Sequence, residues 1–172
     1  NKLNKDIFNL YTTYLFEVCD ESDPHIVKEE EGIYLIGARD TMTGHLYREG
    51  TLDSISLALG CKRVPAKLCE FREVLQELGT VRHEGFMVRD LDTGETLVKL
   101  KSPYYLAKKA MMRIGAKQLD IMFTNKNIFK RRIDEEFYDL VDYIVKKFDK
   151  EAWASYDEQQ RRTFIEGYFN AG

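Results

Sequence analysis

Runs of aromatic and β-branched residues predict strands early in the chain, and apolar and polar positions alternate with a period of two in the strand that ends at Lys101. "TTYLFEVC", Thr12–Cys19, is aromatic and β-branched, and "GIYLIGARD", Gly32–Asp40, has the same texture. "TMTGHLY", Thr41–Tyr47, reads as a hairpin turn into a further strand. The pattern then slows to a helical period over "SISLALGCKRVPAKLCEFREVLQELG", residues 54–79, divided at Gly60 and Pro65 and ended by Gly79. A hairpin follows: "GFMVRDL", the turn Asp92–Gly94, and "ETLVKLK". Beyond Ser102 the spacing is helical to the end. Ile133, Phe137, Leu140, Val141, Ile144, Val145 and Phe148 form one stripe, and Trp153, Phe164, Ile165, Tyr168 and Phe169 predict another helix behind it. The fold class expected is α+β: an antiparallel β portion over residues 1–105 and a helical C-terminal region over 106–172. No internal repeat or low-complexity linker is evident.

The strand ending the hairpin carries the first candidate chemistry. Alternation points Val98 and Leu100 one way and Lys99 and Lys101 the other. Ser102 is a good helix N-cap and Pro103 suits the first helical position, so a helix should begin near Tyr104. Two ammonium groups beside a helix N-terminus favour a phosphate, although a half-buried antiparallel strand also alternates apolar with charged residues for solvation alone.

Charge sharpens the picture through its distribution. The formal net charge is −3. Residues 17–31 hold seven acids against Lys28, whereas residues 99–132 hold ten bases against Asp120. The basic excess suggests a surface for a polyanion, with a solvated helix face as the alternative. No apolar run approaches the length a bilayer requires and "NKLNKDIFNL" does not resemble a signal peptide, so no membrane partner is expected. Cys19, Cys61 and Cys69 are odd in number and lack CxxC spacing, which predicts reduced core thiols and a cytoplasmic compartment. His83-Glu84 lacks the second histidine of a zincin, Met87 standing in its place, and His25 and His45 have no metal-ligand spacing. GxxxxGK[ST], GxGxxG and GxSxG do not occur.

Four stretches, taken together, resemble the later motifs of the covalent nucleotidyltransferases, most closely ATP-dependent RNA ligases of the bacteriophage tRNA-repair type. "YLFEV", Tyr14–Val18, resembles motif III; "GIYLIGARD" resembles motif IIIa; "EGFMVRD", Glu84–Asp90, resembles motif IV; "LVKLKSPYY", Leu97–Tyr105, resembles motif V. They stand in the family's order across residues 14–105. The resemblance implies lysyl-AMP and RNA-adenylate intermediates, with ATP and Mg2+ as cofactors and RNA, including tRNA, as partner. It implies that Lys99 and Lys101 contact the transferring phosphate, that Glu84 holds a divalent cation or orders the water around it, and that Glu17 binds the ribose. Tyr34 would line the adenine pocket, with a packing role as the equal alternative. RNA contact is expected of Lys108, Lys109, Arg113, Lys130, Arg131 and Arg132.

The family's nucleophile motif, Lys-x-Asp-Gly, does not occur in this sequence. Lys2 and Lys5 precede motif III without it. The expectation is therefore the motif III to V side of a ligase active site, completed by a chain or domain that carries Lys-x-Asp-Gly and unable to adenylylate itself. A non-catalytic RNA-binding remnant is the alternative. A piece of a DNA ligase or capping guanylyltransferase is a further one, disfavoured by the direct passage into helices after motif V.

Overall fold

The computed structural model describes residues 2–171. It is mixed α+β, with small sheets in the first part and several helices toward the C-terminus. Contacts divide it into two compact units. One holds the residues up to Val74 with Phe86–Leu100, the other Leu75–Gly85 with the residues from Lys101 on.

In the first unit, β1 (Thr12–Cys19) and β2 (Gly32–Asp40) pair antiparallel, and β3 (Lys62–Arg63) joins β2 in parallel after the helix α1 (Glu49–Leu59). Leu35 and Ala38 lie three apart on β2, a spacing that strict alternation would send to opposite faces. Both are nevertheless fully buried. A register shift between Leu15 and Phe16 explains it: Leu15 faces Gly37 and Phe16 faces Leu35, leaving Ile36 unopposed as a bulge. Leu35, Ala38 and Leu52 of α1 then form one core, covered by Tyr14, Phe16, Tyr47, Ile55 and Cys61.

The hairpin of β4 (Gly85–Arg89) and β5 (Thr96–Lys101) forms a separate two-stranded sheet. Charged side chains tie its first-unit part to α1 and β3. Glu49, in the first turn of α1, accepts from Arg89 at 2.6 Å and from Arg63. Arg63 also donates to Asp53 at 2.9 Å and to the Leu35 carbonyl at 2.6 Å, while Arg48 donates to the Asp92 carbonyl at 2.8 Å. Arg63 and Arg89 keep only 12% and 17% of their side chains exposed, so Glu49 supplies the carboxylate that two largely desolvated guanidiniums require.

The hairpin turn is a copy of the turn after β2. "RDTMTG", residues 39–44, and "RDLDTG", residues 89–94, share Arg-Asp-x-x-Thr-Gly. In each, the Asp carboxylate accepts from two backbone N–H groups and the Thr hydroxyl. Asp40 takes Met42, Thr43 and its hydroxyl at 2.8–3.0 Å, and Asp90 takes Asp92, Thr93 and its hydroxyl at 2.7–2.9 Å. The closing residues, Gly44 and Gly94, have φ of 77° and 72°, where a Cβ is strained. A local repeat is thus present, contrary to the reading of the sequence.

The second unit is helical: α3 (Pro103–Met112), α4 (Ala116–Thr124), α5 (Lys126–Lys130), a 3₁₀ turn at Glu135–Phe137, α6 (Tyr138–Lys147), α7 (Lys150–Ser155) and α8 (Glu158–Asn170). Its core includes Met111, Met122, Leu140, Val141, Ile144 and Ile165, all at most 1% exposed. Trp153 is fully buried between Phe148 and Phe164, with ring centroids at 5.0 and 5.6 Å. Side-chain caps start α5, α7 and α8 at Asn125, Asp149 and Asp157, and Gln160 completes a capping box at α8.

Three expectations change. "TMTGHLY" makes no strand: only the isolated bridge Arg39↔Leu46 forms before α1 begins at Glu49. The helix read over residues 54–79 is interrupted, since Gly60 caps α1, β3 follows, and helix α2 resumes only over Phe71–Leu78. Of the stripe, Phe137 ends the 3₁₀ turn and Leu140, Val141, Ile144 and Val145 lie in α6, while Ile133 precedes the turn and Phe148 caps α6; the aromatic residues after it divide between α7 and α8. Among the described residues, no helix is long and apolar enough to cross a membrane. The three cysteines are free thiols; Cys19 is buried, and burial raises the Cys19 and Cys61 thiols above the ordinary range.

Candidate active site

The candidate residues fall in both units: Glu17, Tyr34 and Lys99 in the first, Glu84 and Lys101 in the second.

In the first unit, Glu17 of β1 stands opposite Tyr34 of β2, and Tyr34 stands opposite Lys62 of β3. Directly opposed residues share a face of a sheet, so the three make a row. The neighbouring pair, Phe16 and Leu35, points into the core against α1, which leaves the row on the sheet's other face. The Glu17 carboxylate is 3.4 Å from Nδ1 of His25. The Tyr34 hydroxyl donates to the Glu30 carbonyl at 2.8 Å, fixing the ring. Lys62 holds its ammonium 5.6 Å from the centre of that ring, while bonding the Glu30 carboxylate and the Glu31 carbonyl at 2.7 Å each. The hydrogen bond to Glu30 raises the Lys62 ammonium above the ordinary lysine range. A Cβ on Gly32 would meet Lys62 Cδ at 2.9 Å, so the bare glycine leaves the passage that this side chain fills. The row offers a carboxylate for hydroxyls, a ring for stacking and a cation beside it.

Sequence reading missed Lys62 and His25. β3 is two residues long, too short to show any period, and lies in a segment read as helix. His25 sits in the acidic loop between β1 and β2, where nothing local marks it as a neighbour of Glu17.

In the second unit, Lys101 and Glu84 form an ion pair. Their side chains are 28% and 41% exposed, so both reach solvent. Lys101 also sits 4.6 Å from the centre of the Tyr105 ring. The next residue locks the geometry: Ser102 is fully buried, its N–H donates to the Glu84 carbonyl at 2.9 Å, and its hydroxyl donates to the His83 carbonyl at 2.6 Å. That hydroxyl oxygen accepts from Tyr105 N–H at 3.1 Å, capping α3, with Pro103 in its first turn. The helix start and Ser102 cap thus match the sequence reading. Lys99 is exposed on β5, two residues before Lys101 and on the same side by alternation.

Among the described residues, no group of three or more His, Cys, Asp or Glu is placed to hold a metal ion. Magnesium is commonly bound through one or two carboxylates with water and substrate phosphates; here Glu84 presents one carboxylate, paired with Lys101.

The six cations expected at RNA take different places. Lys108 requires a correction: it is 1% exposed and donates to Glu166 at 2.7 Å, so it belongs to the packing of α3 on α8 and is withdrawn from any surface. Lys130 is mostly covered, bonding Asp142 at 2.6 Å and lying over the Tyr138 ring. Arg113 is exposed and pairs with Glu158 at 3.0 Å. Lys109, Arg131 and Arg132 are exposed, and the two arginines make no ion pair among the described residues.

No family model, curated protein or solved structure matches this chain.

Proposed function

We propose that this chain supplies the nucleoside- and phosphate-binding side of an ATP-dependent RNA ligase. The reading rests on the resemblance of its four motifs, and the observation that supports it most is the Glu84–Lys101 pair, a carboxylate and an ammonium in contact at the solvent-reaching edge of a junction held by the buried Ser102. Lys99 and Lys101 hold the α-phosphate of ATP and offset the charge that develops as it is transferred, an effect that depends on cations fixed in advance. Glu84 pairs with Lys101 and orients its ammonium; a magnesium ion, if bound, would be held by Glu84 and would supply further charge neutralisation. Glu17 accepts from ribose hydroxyls and Tyr34 stacks on adenine, with Lys62 steadying the ring. The nucleophilic lysine, from a Lys-x-Asp-Gly segment outside this sequence, takes AMP from ATP with release of pyrophosphate; the AMP passes to an RNA 5′-phosphate, and an RNA 3′-hydroxyl then attacks that phosphate, joining the ends and releasing AMP.

The test is equilibrium titration with ATP and AMP, with GTP as control. Adenine nucleotides should bind more tightly than GTP and be weakened by Glu17→Gln and by Lys101→Ala. Equal affinity of both variants and the parent for ATP would contradict the assignment.

A further inference from the structure

Within the second unit, α6 and α8 leave an open groove of about 660 Å3, lined by Tyr143, Phe164, Gly167, Tyr168 and Phe169. The Tyr143 ring is near parallel to Phe164, at 20° and 5.4 Å between centroids, and lies 5.1 Å from Tyr168. A Cβ at Gly167 would meet nothing within 4 Å, so the middle of α8 faces open space there. Lys147 places its ammonium 5.6 Å from the centre of the Tyr143 ring. Lys146 and Lys147 are exposed, and neither makes an ion pair among the described residues. Asp139, one turn before Tyr143, adds a carboxylate toward Tyr168.

The lining decides what class of occupant fits. An aliphatic groove suits the leucine or isoleucine anchors of a protein helix, whereas aromatic faces with phenolic hydroxyls suit a flat ring. The Lys147 ammonium beside the Tyr143 ring complements a phosphate. Stacking rings beside backbone-tracking cations are the combination that holds single-stranded nucleic acid. We propose that this groove takes an unpaired base of single-stranded RNA, stacked on Tyr143 and Tyr168 with its phosphate at Lys147. This rests on the reading of RNA as the polymer partner, and it adds a site separate from the phosphate and nucleoside residues of the four motifs.

The test compares two labelled RNAs by fluorescence anisotropy: an oligouridylate and an abasic strand of the same length. The parent should prefer the oligouridylate, and Gly167→Leu, which fills the groove from a helical position, should weaken it about tenfold while leaving the abasic strand unchanged. Tyr143→Ala should act in the same direction, and Lys147→Glu should weaken both strands. Trp153, the single tryptophan, touches Phe164 of the groove, so its emission should change with the oligouridylate and not with the abasic strand. Equal binding of both strands by parent and Gly167→Leu would overturn the groove site while leaving RNA binding intact; no binding of either strand would overturn both. Self-association lost in Gly167→Leu, with RNA binding untouched, would assign the groove to a protein contact and overturn the proposal.

Discussion

Glu84 and Lys101 are seventeen residues apart in sequence and meet as an ion pair, with the buried Ser102 bonded to the backbone of His83 and Glu84 beside them. The hairpin that separates them serves to bring its two ends together. Because both side chains reach solvent, the pair adds little to folding, at most about 1 kcal/mol. Its worth lies in position.

Lys101→Ala should therefore leave the urea midpoint nearly unchanged yet cost about 2 to 4 kcal/mol of transition-state stabilisation in the completed enzyme. Lys99→Ala should behave alike in single-turnover rates. If either variant ligates RNA at the parent rate, the phosphate role is wrong.

For the first-unit row, Tyr34→Phe removes only the hydroxyl bonded to Glu30, whereas Tyr34→Leu removes the ring. Nucleotide affinity should survive the first change and fall by about 1 to 3 kcal/mol in the second, as for loss of a base-stacking ring. Calorimetric titration with AMP separates the two, and equal losses would make Tyr34 a packing residue.

Much of this architecture was legible in the chain, for identifiable reasons. β1 and β2 are runs of aromatic and β-branched residues, β5 alternates apolar with charged residues, and Ser102-Pro103 is an unambiguous helix start, so those elements stand where the pattern puts them. Lys62 was hidden because its strand is two residues long and borrows its order from β2. Lys108 misled for the opposite reason: a lysine in a basic run reads as surface, and only the α3–α8 packing reveals that Glu166 holds it inside. The paired Arg-Asp-x-x-Thr-Gly turns were in plain view but became meaningful once both aspartates were seen closing the same loop.

Lys108→Ala should consequently destabilise the fold, by about 2 kcal/mol, less than a fully buried pair because Glu166 remains a third exposed. RNA affinity and its salt slope should not move. Arg131→Glu with Arg132→Glu should do the reverse, leaving the melting temperature within error and reducing the slope of log affinity against log salt by about 1.4, the value for two lost phosphate contacts on a single strand.

Acid should loosen the fold through the aspartates. Hydrogen bonds from Thr43 and Thr93 hold Asp40 and Asp90 below the usual carboxylate range, and the Lys126 and Lys130 hydrogen bonds do the same for Asp142. A group whose folded pKa is depressed adds stability above its unfolded value, about 3.9, and loses it as pH falls through the folded value. Urea midpoints should thus hold steady near neutrality and decline below about pH 4. Combining Asp40→Asn with Asp90→Asn, which keeps an accepting oxygen but removes the titration, should flatten that decline; an unaltered decline would show that the turns do not contribute.

The most direct measurement mixes the chain with a nucleotidyltransferase fragment bearing Lys-x-Asp-Gly, α-labelled ATP and magnesium, and follows acid-resistant protein–AMP. The account predicts no adduct on this chain alone, an adduct on the fragment's lysine in the mixture, and a loss of about 100-fold with Lys101→Ala. A stable adduct on this chain by itself, or equal labelling of the fragment with and without Lys101, would contradict it.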